Sequence, residues 1–397
     1  MKIIKKIGFW LLIIILVINV AILISGRFYL YKLIANTLMK GRMGPAINES
    51  LIFANREVKA GNHQPWPVSK NYNKTPIPLQ LRNEMVRLNT VAYVVIKNDS
   101  IQYEEYWDGY GPDSRTNSFS MAKSILSVLC GVAIKDGKIK SVEDPIKNYL
   151  KDFKGDPEGK IKIRHLLSMS SGMNFEEDYI NPLVYPAEAY YGTDLKQLTY
   201  NNDYKNTTEP GKVFKYLSGD SQLLAFVIEA ATGMHVADYA SEKLWKKMGA
   251  KNTAWWNLDR ENGNEKAFCC FNSNALDFAR FGKLLLNYGK WNNEQLLDST
   301  YVAAMTTSNG LMEADGKPCI RYGYQWWIIP DFKGHRVVYM RGILGQYVLI
   351  IPDENMIVVR LGHKRDKPNP EDLYPPDVNI YLNAARWICS QKIKKIC

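Results

Sequence analysis

Several kinds of chemistry are missing from this 397-residue chain. Its six cysteines, at positions 130, 269, 270, 319, 389 and 397, form no C-x-x-C pair and have no histidine partners. A zinc site is therefore not expected. Gly-rich phosphate loops and other metal-ligand motifs are absent too, so neither a cofactor nor a metal is expected. Lys and Arg outnumber Asp and Glu by 51 to 40, giving a net charge of +11. The basic residues are scattered, apart from short clusters at the ends ("MKIIKK" and "QKIKKIC"), and no aromatics interleave them. Nucleic acid is set aside as a partner. No internal repeat or low-complexity tract is found. What remains is an apolar content of 46% and a charged content of 23%, an ordinary globular balance. Cys130 sits in an apolar helical pattern and Cys269-Cys270 in "AFCCFNS", so buried free thiols are expected there. A Cys389–Cys397 disulfide is conceivable in an oxidising compartment.

One long hydrophobic run is present. "IGFWLLIIILVINVAILISG" (Ile7 to Gly26) carries no charge and has the length of a membrane-crossing helix. Lys2, Lys5 and Lys6 precede it, and Leu23 and Ile24 stand where a cleavage site would want small residues. An uncleaved anchor is favoured over a cleaved signal peptide. The lysines place the N-terminus in the cytoplasm and the rest of the chain on the extracytoplasmic side. This divides the sequence into an anchor (1–27), a juxtamembrane helix with irregular linker (28–85) and a main domain (86–397).

Within the main domain, "TVAYVVIKNDSIQYEEYW" predicts a hairpin turning at Asn98-Asp99-Ser100. Helices are expected from about Ser120, over Ser221 to Gly233 and over Asn274 to Gly289, with a short one in "IKIRHLLSMSSGMNF" ending at Gly172. Four strand-like runs follow ("YGYQWWIIP", "HRVVYMRG", "GQYVLIIPD", "NMIVVRLGH"), then a helix from Val378 to about Lys392. The pattern implies an α/β chain of the α+β type, with one antiparallel sheet built from both chain ends and a helical middle over roughly 150–265.

Three segments could carry chemistry. Ser120-Met121-Ala122-Lys123 is the one S-x-x-K in the chain, and it opens a helix. Serine there could be only an N-cap. Residues i and i+3 share a helix face, however, so Lys123 would lie beside the Ser120 hydroxyl. To accept its proton, lysine must be neutral near pH 7, a shift of roughly 3 units that burial can supply. Tyr216-Leu217-Ser218 ends a loop just before a buried helix, where a tyrosine could relay a proton. Met340-Arg341-Gly342 ends a strand, and the Ile343 N–H could join that of Ser120 in an oxyanion hole.

In this order the three segments resemble the serine β-lactamase and penicillin-binding-protein-like superfamily, from about Thr90 to the C-terminus. "VEDPIKNYL", "PGKVFKYLSGDSQLL" and "ALDFARFGKLLLNYGKW" extend the likeness, while "AFCCFNSNALDFARFG" and "RGILGQY" look most like the 6-aminohexanoate-dimer hydrolase and family VIII esterase branch. The resemblance implies the β-lactamase/DD-peptidase fold with an inserted helical subdomain. It further implies Ser120 as nucleophile, Lys123 as base, Tyr216 as proton relay, and Ser120 and Ile343 as oxyanion donors. Tyr179, Ser218 and Gly342 would bind a small amide or ester substrate. Met340 stands where many relatives carry a cation. Strand alternation suggests that Met340 faces the cleft and Arg341 points away, which disfavours β-lactams. His165 is read as structural, and the Trp255-Trp256 and Trp326-Trp327 pairs as core or cleft wall, not a cofactor box. A membrane-anchored serine hydrolase leads; a D-amino-acid peptidase or β-lactamase, and an acylatable sensing module without turnover, are the alternatives. The oligomeric state is not legible.

Overall fold

The structure, a computed structural model, describes residues 2–369 and 372–390. The helix α1 (Lys2–Ser25) precedes α2 (Tyr29–Asn36), β1 (Asn55–Val58) and α3 (Leu79–Arg87). The hairpin β2 (Thr90–Lys97) and β3 (Ser100–Tyr106) leads through β4 (Thr116–Asn117) into α4 (Met121–Lys135). The middle of the chain holds α5 (Ile163–Leu167), α6 (Tyr185–Tyr191), α7 (Leu195–Thr199), α8 (Ser218–Thr232) and α9 (Val236–Ala240). Then come β5 (Ala254–Asn257), β6 (Phe271–Ser273), α10 (Ala275–Leu286), the short pair β7 (Lys290–Trp291) and β8 (Glu294–Gln295), and α11 (Ser299–Met305). The chain closes with β9 (Trp327–Phe332), β10 (His335–Gly342), β11 (Gln346–Ile351), β12 (Met356–Gly362) and α12 (Val378–Ser390).

Six strands form the main antiparallel sheet in the order β3-β2-β12-β11-β10-β9. Both chain ends contribute to it, as their strand-like runs predict. Its central strands read as continuous apolar stretches because both faces are covered. Val94, Val348 and Val359 enter the larger core beneath α4, α8 and α10. Tyr93, Leu349 and Val358 enter a second core under α3 and α12. The stretch from 28 to 85 is more ordered than its Pro- and Asn-rich composition suggests. Here β1 pairs with β5 in a second sheet, ordered β1-β5-β6-β4, and α3 supplies Met85 to the core under α12. The short helix α5 stops at Leu167, before the expected glycine, and the final helix is described to Ser390.

The cysteines need one correction. Cys269 and Cys270 are joined to each other as a vicinal disulfide and are not free thiols. Adjacent sulfurs inside a buried turn leave each thiol no nearer partner. Cys130, Cys319 and Cys389 are free, and a Cys389–Cys397 pairing lies outside the described residues.

One buried cation ties the sheet to the turn after β10. Arg360 on β12 is fully buried, and its guanidinium donates to the carbonyls of Leu344 (2.9 Å), Gly345 (2.8 Å) and Leu88 (2.7 Å). No carboxylate forms an ion pair with it among the described residues, so these oxygens are its solvation shell. Arg360→Met should lower stability by roughly 2–4 kcal/mol, since carbonyls lose a charged donor in a dry site. Denaturant unfolding would measure this, and a change below about 0.5 kcal/mol would contradict the assigned role.

Candidate active site

Ser120 occupies the N-cap position of α4, but its hydroxyl makes no capping bond. The chain reaches it through a forced turn. The Asn117 side chain accepts the Phe119 N–H at 2.9 Å, and Phe119 has φ +45°, which a bulky residue rarely adopts. One helical turn on, Lys123 is 1% exposed, and its Nζ lies 3.5 Å from Ser120 Oγ. The same nitrogen donates to the Phe268 carbonyl at 2.8 Å and to Ser218 Oγ at 3.1 Å. Burial lowers its pKa from 10.5 to about 8, against the opposing pull of Glu177. That shift amounts to roughly 3 kcal/mol. It makes the neutral amine a sizeable fraction near pH 7.5, where an ordinary lysine is neutral at about one part in a thousand. With two N–H groups committed to Phe268 and Ser218, the lone pair is left for Ser120.

Ser218 begins α8, and its own proton is also committed. Its hydroxyl donates to Glu177 Oε1 at 2.6 Å, while its amide donates to Glu177 Oε2 at 2.7 Å. The carboxylate thus caps α8 where the helix end is positive. Because Ser218 gives its proton to Glu177, its oxygen is free to accept from Lys123. Tyr179 donates to the same Glu177 oxygen. Tyr216 lies with its ring 5.1 Å from Lys123 Nζ and packs on Trp327 and Tyr322. Burial raises its pKa and a hydrogen bond with Ser120 opposes this; Glu177 raises it further, while Arg341 and Arg365 lower it.

A pocket of about 170 Å³ opens over this group, lined by Ser120, Tyr179, Tyr216, Trp327, Arg341, Gly342, Ile343 and Arg365. Every catalytic or binding residue expected from the sequence therefore meets at one place, five as lining and Lys123 and Ser218 just beneath. Gly342 explains its own identity: a Cβ there would stand 2.2 Å from the Ser118 carbonyl. Met340 requires a correction. It does share the Gly342 face, but it is fully buried in the larger core and never reaches the cleft. Arg341 leaves the opposite face at the strand end, lies over the Trp327 ring at 4.6 Å, and lines the pocket. Alternation holds along the strand. At its end, next to an edge strand, a long side chain reaches around the rim.

Sequence reading missed Glu177, Arg365 and the Phe268 carbonyl, and it turned Arg341 away from the cleft that this residue lines. Glu177 had a signal, an acidic residue two positions before the chosen Tyr179. The others had none, because a backbone oxygen and a distant arginine gain meaning only in space. His165 is structural as expected, its Nδ1 accepting the Lys162 N–H at 3.1 Å. Trp256 and Trp326 are fully buried.

A family model described as Beta-lactamase matches residues 80–379. The 6-aminohexanoate-dimer hydrolase of Paenarthrobacter ureafaciens is 25% identical over 312 residues, covering 75% of this chain and 78% of that protein. Among solved structures, a Bacillus anthracis protein provisionally ascribed the same hydrolase activity superposes with a TM-score of 0.72 at 24% identity, covering 87% and 94%. The octameric penicillin-binding protein homologue of Pyrococcus abyssi gives 0.60 at 19% identity, covering 80% and 78%. These structural likenesses speak to the fold.

The lysine environment sets a pH-dependent reactivity. A protonated Lys123 cannot take the Ser120 proton, so labelling of Ser120 by a fluorophosphonate should rise with pH through a midpoint near 8. Glu177→Gln removes the charge that favours the ammonium, and the midpoint should move to lower pH. Intact-mass rates across pH 5–10 would read both, with Ser120→Ala as the unlabelled control. A flat profile would remove Lys123 from the role of base.

Proposed function

We propose, since the chain belongs to the beta-lactamase family, that it is a serine hydrolase cleaving an amide or ester through an acyl-enzyme on Ser120. The observation that carries this reading is the buried Lys123 amine, held by two fixed acceptors with Ser120 as its third neighbour. Ser120 Oγ attacks the substrate carbonyl as its proton passes to Lys123. The N–H groups of Ser120 and Ile343 stabilise the developing oxyanion. Tyr216, beside both Ser120 and Lys123, carries a proton to the departing amine or alcohol. Water then releases the acyl group, and the serine proton is restored. Glu177, through Ser218, holds the acceptor that fixes Lys123.

The pocket also carries two guanidinium groups, Arg341 and Arg365, which favour a substrate with an anionic group. They supply the cation that Met340 does not. This keeps a second reading open, a D-amino-acid peptidase or β-lactamase, whose substrates bear a carboxylate. The N-terminal helix α1 is long and apolar enough to cross a membrane over Ile4–Ser25. We take it as an uncleaved anchor, with the catalytic domain on the extracytoplasmic side and the boundaries at 27 and 85.

A hydrolysis panel of neutral short-chain esters, linear amides bearing a terminal carboxylate, D-alanyl peptides and a chromogenic cephalosporin would test these readings. Lys123→Arg should be nearly as inactive as Lys123→Ala, because arginine keeps its proton. Full activity in the arginine variant would place the base elsewhere. Arg341→Ala should raise KM for carboxylate-bearing substrates by about tenfold to a hundredfold, the loss of one charge-assisted hydrogen bond. KM for neutral esters should change little. An equal effect on both would assign Arg341 a structural role.

A further inference from the structure

The juxtamembrane residues hold the lip of the catalytic pocket. The helix α1 ends at Ser25, and Gly26 turns the chain with φ +68°. Arg27 Nη1 then donates to the Leu183 carbonyl at 2.6 Å, and the Tyr29 hydroxyl donates to the Pro182 carbonyl at 3.0 Å. Tyr29 is itself buried in the larger core, and α2 packs on α6 directly after this loop. The segment held in this way runs from Asn174 to Val184. It carries Glu177 on Ser218 and Tyr179 in the pocket wall.

The segment presents exposed apolar residues. Ile180 is 91% exposed and Leu183 51%, and Phe28, between the two donors, is 58% exposed. Ile180 and Leu183 lie in the stretch from pocket-lining Tyr179 to the carbonyl that Arg27 holds, and Phe28 follows Arg27 directly. A 22-residue helix is about 33 Å long, enough to cross a hydrocarbon layer of about 30 Å. With α1 across the bilayer, Ser25 reaches its surface, and the carbonyls bonded to Arg27 and Tyr29 lie at headgroup depth. Large apolar side chains at that level gain by entering the interface, and an arginine there gains from nearby lipid phosphate.

We infer that the mouth of the catalytic pocket rests on the bilayer through Ile180, Leu183 and Phe28, and that the substrate is a membrane-borne amphiphile, an ester or amide with an anionic headgroup. The apolar lip receives the chain of such a molecule, and Arg341 and Arg365 receive its charge. The inference rests on the reading of α1 as an anchor and of Ser120 as the nucleophile.

The test uses the full chain in vesicles of phosphatidylcholine and phosphatidylglycerol, with Cys389 and Cys397 replaced by serine. A polarity-sensitive thiol dye is attached in the variant Ile180→Cys, and in Asn293→Cys, within the β7–β8 turn, as reference. The dye at position 180 should shift to the blue and be protected from iodide, and the dye at position 293 should stay quenchable. Flotation after salt and carbonate washing reports the anchor separately. In parallel, the double variant Ile180→Asp, Leu183→Asp should lose at least tenfold in activity on an anionic ester embedded in vesicles. It should keep its rate on a short water-soluble ester, a rate that also shows Ser120 to be working. Protein that floats and hydrolyses the soluble ester, but leaves the dye at position 180 in water and the embedded ester turnover unchanged in the double variant, overturns the inference alone. Failure to float overturns the anchor and the inference with it.

Discussion

The arrangement depends on keeping one amine dry. Lys123 can serve as a base only while water is excluded and its donors have fixed acceptors. Those acceptors come from two segments remote in sequence, the Phe268 carbonyl and the Ser218 hydroxyl. Each is fixed in its turn. Phe268 stands just before the Cys269–Cys270 bond, in a turn whose Cys269 carbonyl accepts the Trp256 indole at 3.0 Å and whose Cys270 carbonyl accepts the Asn257 amide at 3.0 Å. Ser218 is held at the start of α8 by Glu177. Sheet, helices and turns thus converge on the orientation of a single lone pair.

Burial alone does not make such a lysine chemical. Lys266 is equally buried, its pKa is lowered to about 7, and it donates to the Ala189 and Gly192 carbonyls at 3.0 and 3.1 Å. It has comparable solvation and no hydroxyl to deprotonate, and it fastens α6 to the turn before the disulfide. What separates Lys123 is the neighbour at its third direction, Ser120, delivered by the strained Phe119 turn. Left-handed backbone at bulky residues recurs around the site, at Phe119, Met169, Cys270, Gln325 and Leu344. Met169 places its sulfur against the Leu217 amide, just before Ser218. Strain of this kind persists only where surrounding contacts over-determine it.

The legible parts of the sequence were those governed by local periodicity. The hairpin β2–β3 and the strands β9 to β12 carry apolar runs that fix their sheet. The helix α4 carries Ser120 and Lys123 at i and i+3, a spacing that brings them together by geometry alone. Less legible was whatever depended on distant partners. The strand β1 looked like linker because its four residues make sense only against β5. The Cys269–Cys270 bond could not be foreseen from composition, which speaks equally for two thiols. The Met340–Arg341 reading failed for a subtler reason. The two-residue alternation of a strand gives the side from which a side chain leaves, not where a long, flexible side chain ends.

That last failure changes the electrostatics of the cleft. With Met340 facing it, the pocket would be a neutral slot suited to uncharged substrates. With Arg341 and Arg365 at the rim and Glu177 beneath, it has a positive mouth above a negative base. Both charges act on Tyr216, which Glu177 pushes up and the guanidinium groups pull down, and Glu177 acts on Lys123 as well. The guanidinium groups lower the pKa of Tyr216 against the effect of burial, while Glu177 raises that of Lys123. The guanidinium groups favour the phenolate that desolvation resists, whereas Glu177 favours the Lys123 ammonium and opposes the phenolate. On the proposed mechanism, the guanidinium groups ease the loss of a proton from Tyr216, and Glu177 favours its arrival on Lys123. An anionic substrate group at the mouth would offset the guanidinium charge and weaken that bias on Tyr216. On the proposed mechanism, binding and proton transfer are coupled through the same two arginines.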